Sequence, residues 1–178
     1  IATNLMLMLH LNVDFLREEI LETNEDPPGT EDEPKHRFET LIGKSESMKK
    51  IFRTLEKIKE TDSGILILGE SGTGKSVLAR AIHYRSPRRN HRFQEIHCAQ
   101  IPFNLLESEL FGHEKGAFTG ATQRKLGLCE VANGGTLFLD DINVIPGEIQ
   151  AKLLRFLENK SFIRLGGTRN LAADVRII

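Results

Sequence analysis

The run Gly69-Glu70-Ser71-Gly72-Thr73-Gly74-Lys75-Ser76 constrains this chain more than any other stretch of it. It fits the pattern G-x-x-x-x-G-K-[ST], and it stands where that pattern has a mechanism, after the apolar run Ile65 to Leu68 and before a helical stretch from Lys75 to Tyr84. Strand, glycine loop and helix in that order predict an α/β fold with a parallel sheet, because the chain must cross over before its next strand. The glycines let backbone N–H groups curl around phosphates, the helix N-terminus adds a partial positive charge, and Lys75 adds a full one. Ser76 is placed to offer its hydroxyl to magnesium. Gly69 to Ser76, with Val77 behind them, are therefore the candidate nucleotide contacts.

A phosphate-loop site also needs an acidic residue at the end of a neighbouring strand to hold magnesium through water. The apolar run Thr136-Leu137-Phe138-Leu139 ends in Asp140 and Asp141. Asp140 is the candidate magnesium residue. Asp141 lies where a carboxylate can orient an attacking water, which makes it the candidate base. Adjacent aspartates alone often cap helices, so the pair takes its meaning from the strand before it and the phosphate loop upstream.

The rest of the chain divides by composition. With 178 residues, 39% of them hydrophobic, it can bury one ordinary core. A formal net charge of -1 gives no global pull toward nucleic acid or an anionic membrane surface. Leu5, Leu9, Phe15, Leu16 and Ile20 recur at roughly helical spacing and predict a helix over 4–21. From Glu18 to Glu33 there are eight acidic residues and no Lys or Arg, and Pro27-Pro28-Gly29 breaks any helix there, so this stretch reads as a linker. Residues 1–37 thus precede a domain spanning 38–178. Its first helix starts near Ser45 as N-cap, with Met48, Ile51, Leu55 and Ile58 on one face. A later helix from Pro146 to Asn159 is expected to turn Ile149, Leu153, Leu154 and Leu157 inward, and a last strand ends at Ile178. The chain opens at Ile1 and stops inside an apolar run, which predicts a piece of a longer protein. Cys98 and Cys129 stand far apart with no secretory leader ahead of them, so both are expected to be reduced core residues of a cytoplasmic protein. The run Leu5 to Leu9 is far short of the roughly 18 apolar residues a membrane span needs, so no membrane partner is expected.

Three weaker signals are set aside. His113-Glu114 begins like a zinc-protease helix, but Ala117 stands where the second histidine belongs. Arg85, Arg88, Arg89, His91 and Arg92 have no interleaved stacking aromatics apart from Tyr84 and Phe93 and read as a solvated loop. His83 and His97, each taken singly, read as structural.

The segment Glu107-Ser108-Glu109-Leu110-Phe111-Gly112-His113-Glu114, followed by Gly116-Ala117-Phe118-Thr119-Gly120-Ala121, resembles the central AAA+ domain of bacterial enhancer-binding proteins, the sigma-54 activators. The resemblance runs from about Phe38 to Ile178. It implies a phosphate-loop AAA+ core with a GAFTGA loop insertion, ATP and magnesium as cofactors, and hydrolysis coupled to remodelling of the sigma-54 RNA polymerase holoenzyme. It assigns the polymerase contact to the loop Gly116, Ala117, Phe118, Thr119, Gly120 and Ala121, with Phe118 and Thr119 foremost. It further implies a hexameric ring in the intact protein and DNA contact only through a C-terminal domain beyond Ile178, where the family's sensor residue, arginine fingers and helical lid also fall. Glycines flanking an apolar Phe118 are, on their own terms, what a mobile hairpin presenting a side chain to a partner needs. The sequence departs from the family at three positions. Ser76 replaces a glutamate, Asp141 replaces the glutamate of an Asp-Glu pair, and His97 replaces the asparagine that switches it. The last two bear on hydrolysis, so a non-hydrolysing ATP-binding interaction module stands as the alternative. A metabolite kinase is discounted by the GAFTGA segment and the lack of an evident acceptor site.

Overall fold

The structure, a computed structural model, describes residues 7–10 and 46–178. Two compact units divide them, one running to Arg89 and the other from Asn90 to Ile178.

In the first unit, helix α1 (Glu46–Ile58) buries Leu55 and Ile58 and leaves Lys49, Lys50, Arg53 and Glu56 exposed, the division that its spacing of apolar residues demands. The expected cap at Ser45, the acidic linker and the domain start at Phe38 lie outside the described residues. Strand β1 (Leu7–His10) pairs in parallel with β2 (Ile65–Leu68), Leu7 opposite Ile65 and His10 opposite Leu68. These four residues depart from the helix expected over 4–21, and the remainder of that segment lies outside the described residues. The cause is in the backbone. The edge of β2 offers a row of N–H and C=O groups that an extended segment can pair, whereas an amphipathic helix leaves that edge unmatched. Helix α2 (Lys75–Tyr84) follows the glycine loop and buries Leu78, Ala79, Ala81 and Ile82. Beyond it the Arg88 guanidinium forks onto Asp62, with Nε donating to Oδ1 at 2.6 Å. Arg88 is therefore buried and is corrected from the solvated loop, while Arg89, His91 and Arg92 are exposed as expected.

In the second unit, strand β6 (Thr136–Asp140) lies between β3 (Phe93–His97) and β9 (Arg176–Ile177), all parallel. The first four residues of β6 are buried without alternation, as an interior parallel strand requires. Helices α3 (Phe103–Phe111), α4 (Leu128–Val131) and α5 (Gly147–Asn159) lie between the strands in sequence, since parallel strands cannot be joined by a tight turn. Phe111, Phe156 and Phe162 cluster with ring centroids 5.7–6.5 Å apart. On α5 the inward residues are Ile149, Leu153 and Phe156, and Leu154 is 56% exposed, contrary to its expected inward place. Leu154 sits about 100° around the helix from Leu153, so the two cannot share a narrow face. Cys98 and Cys129 are free and buried, and burial pushes their thiols up to about 11 and about 12, which keeps them protonated at neutral pH. Among the described residues no helix is long and apolar enough to cross a membrane.

Two short antiparallel pairs complete this unit. Strands β4 (Gly112–His113) and β5 (Lys125–Leu126) close the stem of a loop, and β7 (Ser161–Ile163) pairs with β8 (Asn170–Ala172). The stem depends on glycine: a Cβ on Gly127 would stand 2.3 Å from the nitrogen of Gly112. Arg164, just past β7, clamps the loop base. Its Nε donates to Glu130 Oε1 at 2.8 Å, its Nη2 to the other Glu130 oxygen, and its Nη1 to Glu114 Oε1 at 2.6 Å. Glu130 also accepts from the Gly127 N–H at 3.4 Å, so one carboxylate ties α4, the stem and the hairpin together.

The Arg164 guanidinium holds the Glu130 carboxyl below the usual carboxylate range. A depressed folded pKa contributes stability that is present above the unfolded value and is lost as pH falls through the folded one. We therefore expect Arg164→Met to cost on the order of 2–3 kcal/mol at pH 7, somewhat less than a fully buried pair because Glu130 keeps some water contact. The cost should shrink steadily as the solution is acidified. Urea unfolding of both chains from pH 7 to pH 3 checks this, and a penalty that does not change with pH would exclude the Glu130 pairing as its source.

Candidate functional site

The glycine loop leaves β2 and enters α2 through two left-handed residues, Gly72 at φ 80° and Gly74 at φ 84°. A side chain at either position would be strained, so the loop's curl requires glycine there. Thr73, inside the curl, is buried, and its hydroxyl donates to the Glu70 carbonyl at 2.9 Å, which pins the turn. Gly74 is the N-cap of α2, and the first helical hydrogen bond runs from Leu78 N to Gly74 O at 3.0 Å. The N–H groups of Lys75, Ser76 and Val77 are thus left unspent by the helix and point out of its N-terminus. The Lys75 ammonium donates to the carbonyls of Gly69 and Glu70 at 3.2 and 3.0 Å, which sets the cation over the loop it serves. Free N–H groups, a helix N-terminus and a lysine at one point fit a phosphate. Ser76 in the first turn of α2 adds a hydroxyl suited to its cation.

At the end of β6, Asp140 Oδ1 accepts from the Asp141 N–H at 3.0 Å, and Oδ2 lies 3.2 Å from His97 Nδ1. The other imidazole nitrogen is 3.7 Å from Glu95 Oε1. The resemblance gives His97 the place of the residue that switches the one at Asp141; the side-chain contact seen in the structure is with Asp140. The reason is register: in the parallel pairing of β3 with β6, His97 stands opposite Asp140. Asp141 has already left the strand, with φ 54°, in the left-handed region that opens the turn Ile142–Val144. A non-glycine residue held there is backbone strain of about 1–3 kcal/mol, of the kind that gathers at functional sites.

The insertion rises from the β4–β5 stem as a closed turn. Gly116 N donates to Ala121 O at 2.8 Å, Ala117 N to Glu114 O at 3.2 Å, and Ala121 N to Phe118 O at 3.0 Å. Phe118 and Thr119 are exposed, whereas Ala121 is buried at the foot of the turn. Below it, Ser108 Oγ and His113 Nδ1 lie 2.7 Å apart, both residues buried. Sequence reasoning missed the Ser108–His113 pair and the Arg164 clamp. The first lay within the segment that carried the family resemblance. For the second, Arg164 stands far from both its partners along the chain and has no local signature.

Residues 41–178 match the family described as the Sigma-54 interaction domain. The chain is 52% identical over 141 residues to the Nif-specific regulatory protein of Enterobacter agglomerans, an alignment covering 79% of this chain and 27% of that protein. It is 51% identical over 138 residues to the DNA-binding transcriptional activator HyfR of Escherichia coli (strain K12), covering 78% and 21%. Among solved structures, NtrX from Brucella abortus in complex with ATP is similar, with TM-score 0.71 and 42% identity over 78% of this chain and 29% of that one. The chain therefore spans about a quarter of the length of the curated relatives it matches. With its α/β core, its glycine loop and this match over most of its length, the chain belongs to the sigma-54-dependent activator family and carries that family's Sigma-54 interaction domain.

Proposed function

We propose that this chain binds ATP with magnesium through Gly69 to Ser76 and that, within a complete activator, hydrolysis of that ATP drives remodelling of the sigma-54 RNA polymerase holoenzyme. The observation that carries the reading is the phosphate cradle: left-handed Gly72 and Gly74, the N–H groups that α2 leaves unspent and the Lys75 ammonium all belong to one short loop and the helix turn it enters. The ATP complex of the similar NtrX structure supports it. In this reading Lys75 would take β- and γ-phosphate charge, and Ser76 and Asp140 are the residues that would hold magnesium. Magnesium, when bound, neutralises charge developing on the transferred phosphoryl group. Asp141 orients the attacking water. The turn Gly116 to Ala121 meets sigma-54 through Phe118 and Thr119. A cytoplasmic location, a hexameric ring and DNA contact through a further domain follow from the family as parts of the same proposal.

A second reading, an ATP-binding interaction module without hydrolysis, is favoured by Asp141. Shortening glutamate to aspartate withdraws the carboxylate by roughly 1.5 Å, one carbon–carbon bond, and a misplacement on the scale of an ångström costs on the order of a hundredfold in rate. Phosphate release by a C-terminally completed domain separates the readings. If hydrolysis operates, Asp141→Glu should raise turnover by up to about a hundredfold. Turnover absent from both chains would leave the interaction module.

ATP with magnesium at about a hundred times its dissociation constant should stabilise the native chain by roughly 2.7 kcal/mol, seen as a higher thermal midpoint. Lys75→Ala should abolish that rise, and a native chain indifferent to saturating ATP would refute the cradle assignment. Phe118→Ala should retain the ATP shift yet lose capture of sigma-54 by the completed domain; equal capture would remove Phe118 from the contact.

A further inference from the structure

Phe118 does not stand free above its loop. Its ring meets that of His113 with centroids 5.0 Å apart and planes at 68°, the edge-to-face arrangement that aromatic quadrupoles favour. The two residues are held very differently. His113 is 9% exposed, pairs with Lys125 in the stem, bridges to Leu165, and has its Nδ1 2.7 Å from the buried Ser108 hydroxyl. Its ring is fixed to the body of the domain. Phe118 is 36% exposed, and its carbonyl accepts from Ala121 N within the turn. That turn is bounded by Gly116 at φ 82° and Gly120 at φ 99°, neither with any atom within 4 Å of where a Cβ would lie. Beside the close approach of Ala117 to Gly166, the ring contact joins the tip of the loop to its foundation.

We propose that His113 is a positioning residue for the contact loop: its imidazole, oriented by Ser108, is the seat on which Phe118 rests, and Phe118 must leave that seat to engage sigma-54. The inference rests on the reading that Phe118 meets sigma-54. Physically the seat solves two problems together. It covers part of an apolar ring that would otherwise be an adhesive surface spot. It also holds that ring by a contact worth only a several-fold bias, which a partner burying the whole ring outcompetes. The Ser108–His113 bond then has a purpose that packing alone does not give it, since a ring free to rotate about χ2 would present its edge and its face indifferently.

The chain contains no tryptophan, so Phe118→Trp places a single indole at the seat. Acrylamide quenching of that indole in the 178-residue chain reads docking without any sigma-54 present. Adding His113→Gln keeps a hydrogen-bonding partner for Ser108 but removes the ring, and should shift the ratio of released to docked loop roughly three- to tenfold, with a matching rise in the quenching constant. His113→Phe restores a ring without the polar atoms and should return quenching toward the parent. Unchanged quenching in His113→Gln, with far-ultraviolet circular dichroism preserved, would overturn the proposal. So would failure of His113→Phe to differ from His113→Gln, because a ring at this position would then make no difference to docking. If His113→Gln loses its circular dichroism, Ser108→Ala takes its place under the same criterion, with a smaller rise expected. Because no sigma-54 enters the measurement, a failed seat and a failed Phe118 contact are told apart.

Discussion

Strand β6 has four consecutive buried residues, whose backbone N–H and C=O groups must find partners within the protein. They are satisfied by β3 on one side and β9 on the other, and that double pairing sets everything at the strand's end. Parallel pairing fixes a register, and the register sets His97 beside Asp140 with no freedom to choose Asp141. It also fixes where the strand must stop. Asp141 turns into the left-handed region as the chain leaves the sheet, so two adjacent aspartates with the same chemistry receive different surroundings. One carboxylate is tied down by an imidazole and a backbone N–H; the other begins a turn.

The same economy governs the loop insertion. A hairpin stem of two residues per strand has too few hydrogen bonds to stand alone, and it persists because contacts from outside the hairpin brace it. Gly112 and Gly127 let the two backbones approach where any side chain would collide. Arg164 then spans Glu114 and Glu130 with the only cationic side chain whose fork can serve two carboxylates at fixed angles. A glycine-bounded tip on a floppy stem would present Phe118 in no particular direction, whereas the same tip on a clamped stem has few positions and one aromatic seat.

Much of this was legible in the residues. The glycine loop with Lys75 and Ser76 declared its place between strand and helix, and helix α2 spans the residues its pattern predicted. The apolar strand running into Asp140 and the unusual segment around Phe118 were equally plain. These signals are local: glycines are needed where φ is positive, and apolar runs where water is absent. What was misread depended on distant partners. Leu7 to His10 joined a strand edge that no nearby residue announces, Arg88 turned inward to an aspartate far upstream, and Leu154 yielded the core to Phe156.

The sequence by itself determined the α/β class, the family and the glycine loop between strand and helix, because each is written in short-range spacing that permits one backbone solution. Only the tertiary structure decided that His97 answers to Asp140, that Arg164 holds the base of the loop above β4 and β5, and that the Phe118 ring lies against His113. Those pairings follow from strand register and from hairpins packed against one another, and no local pattern encodes which residue will lie across from which.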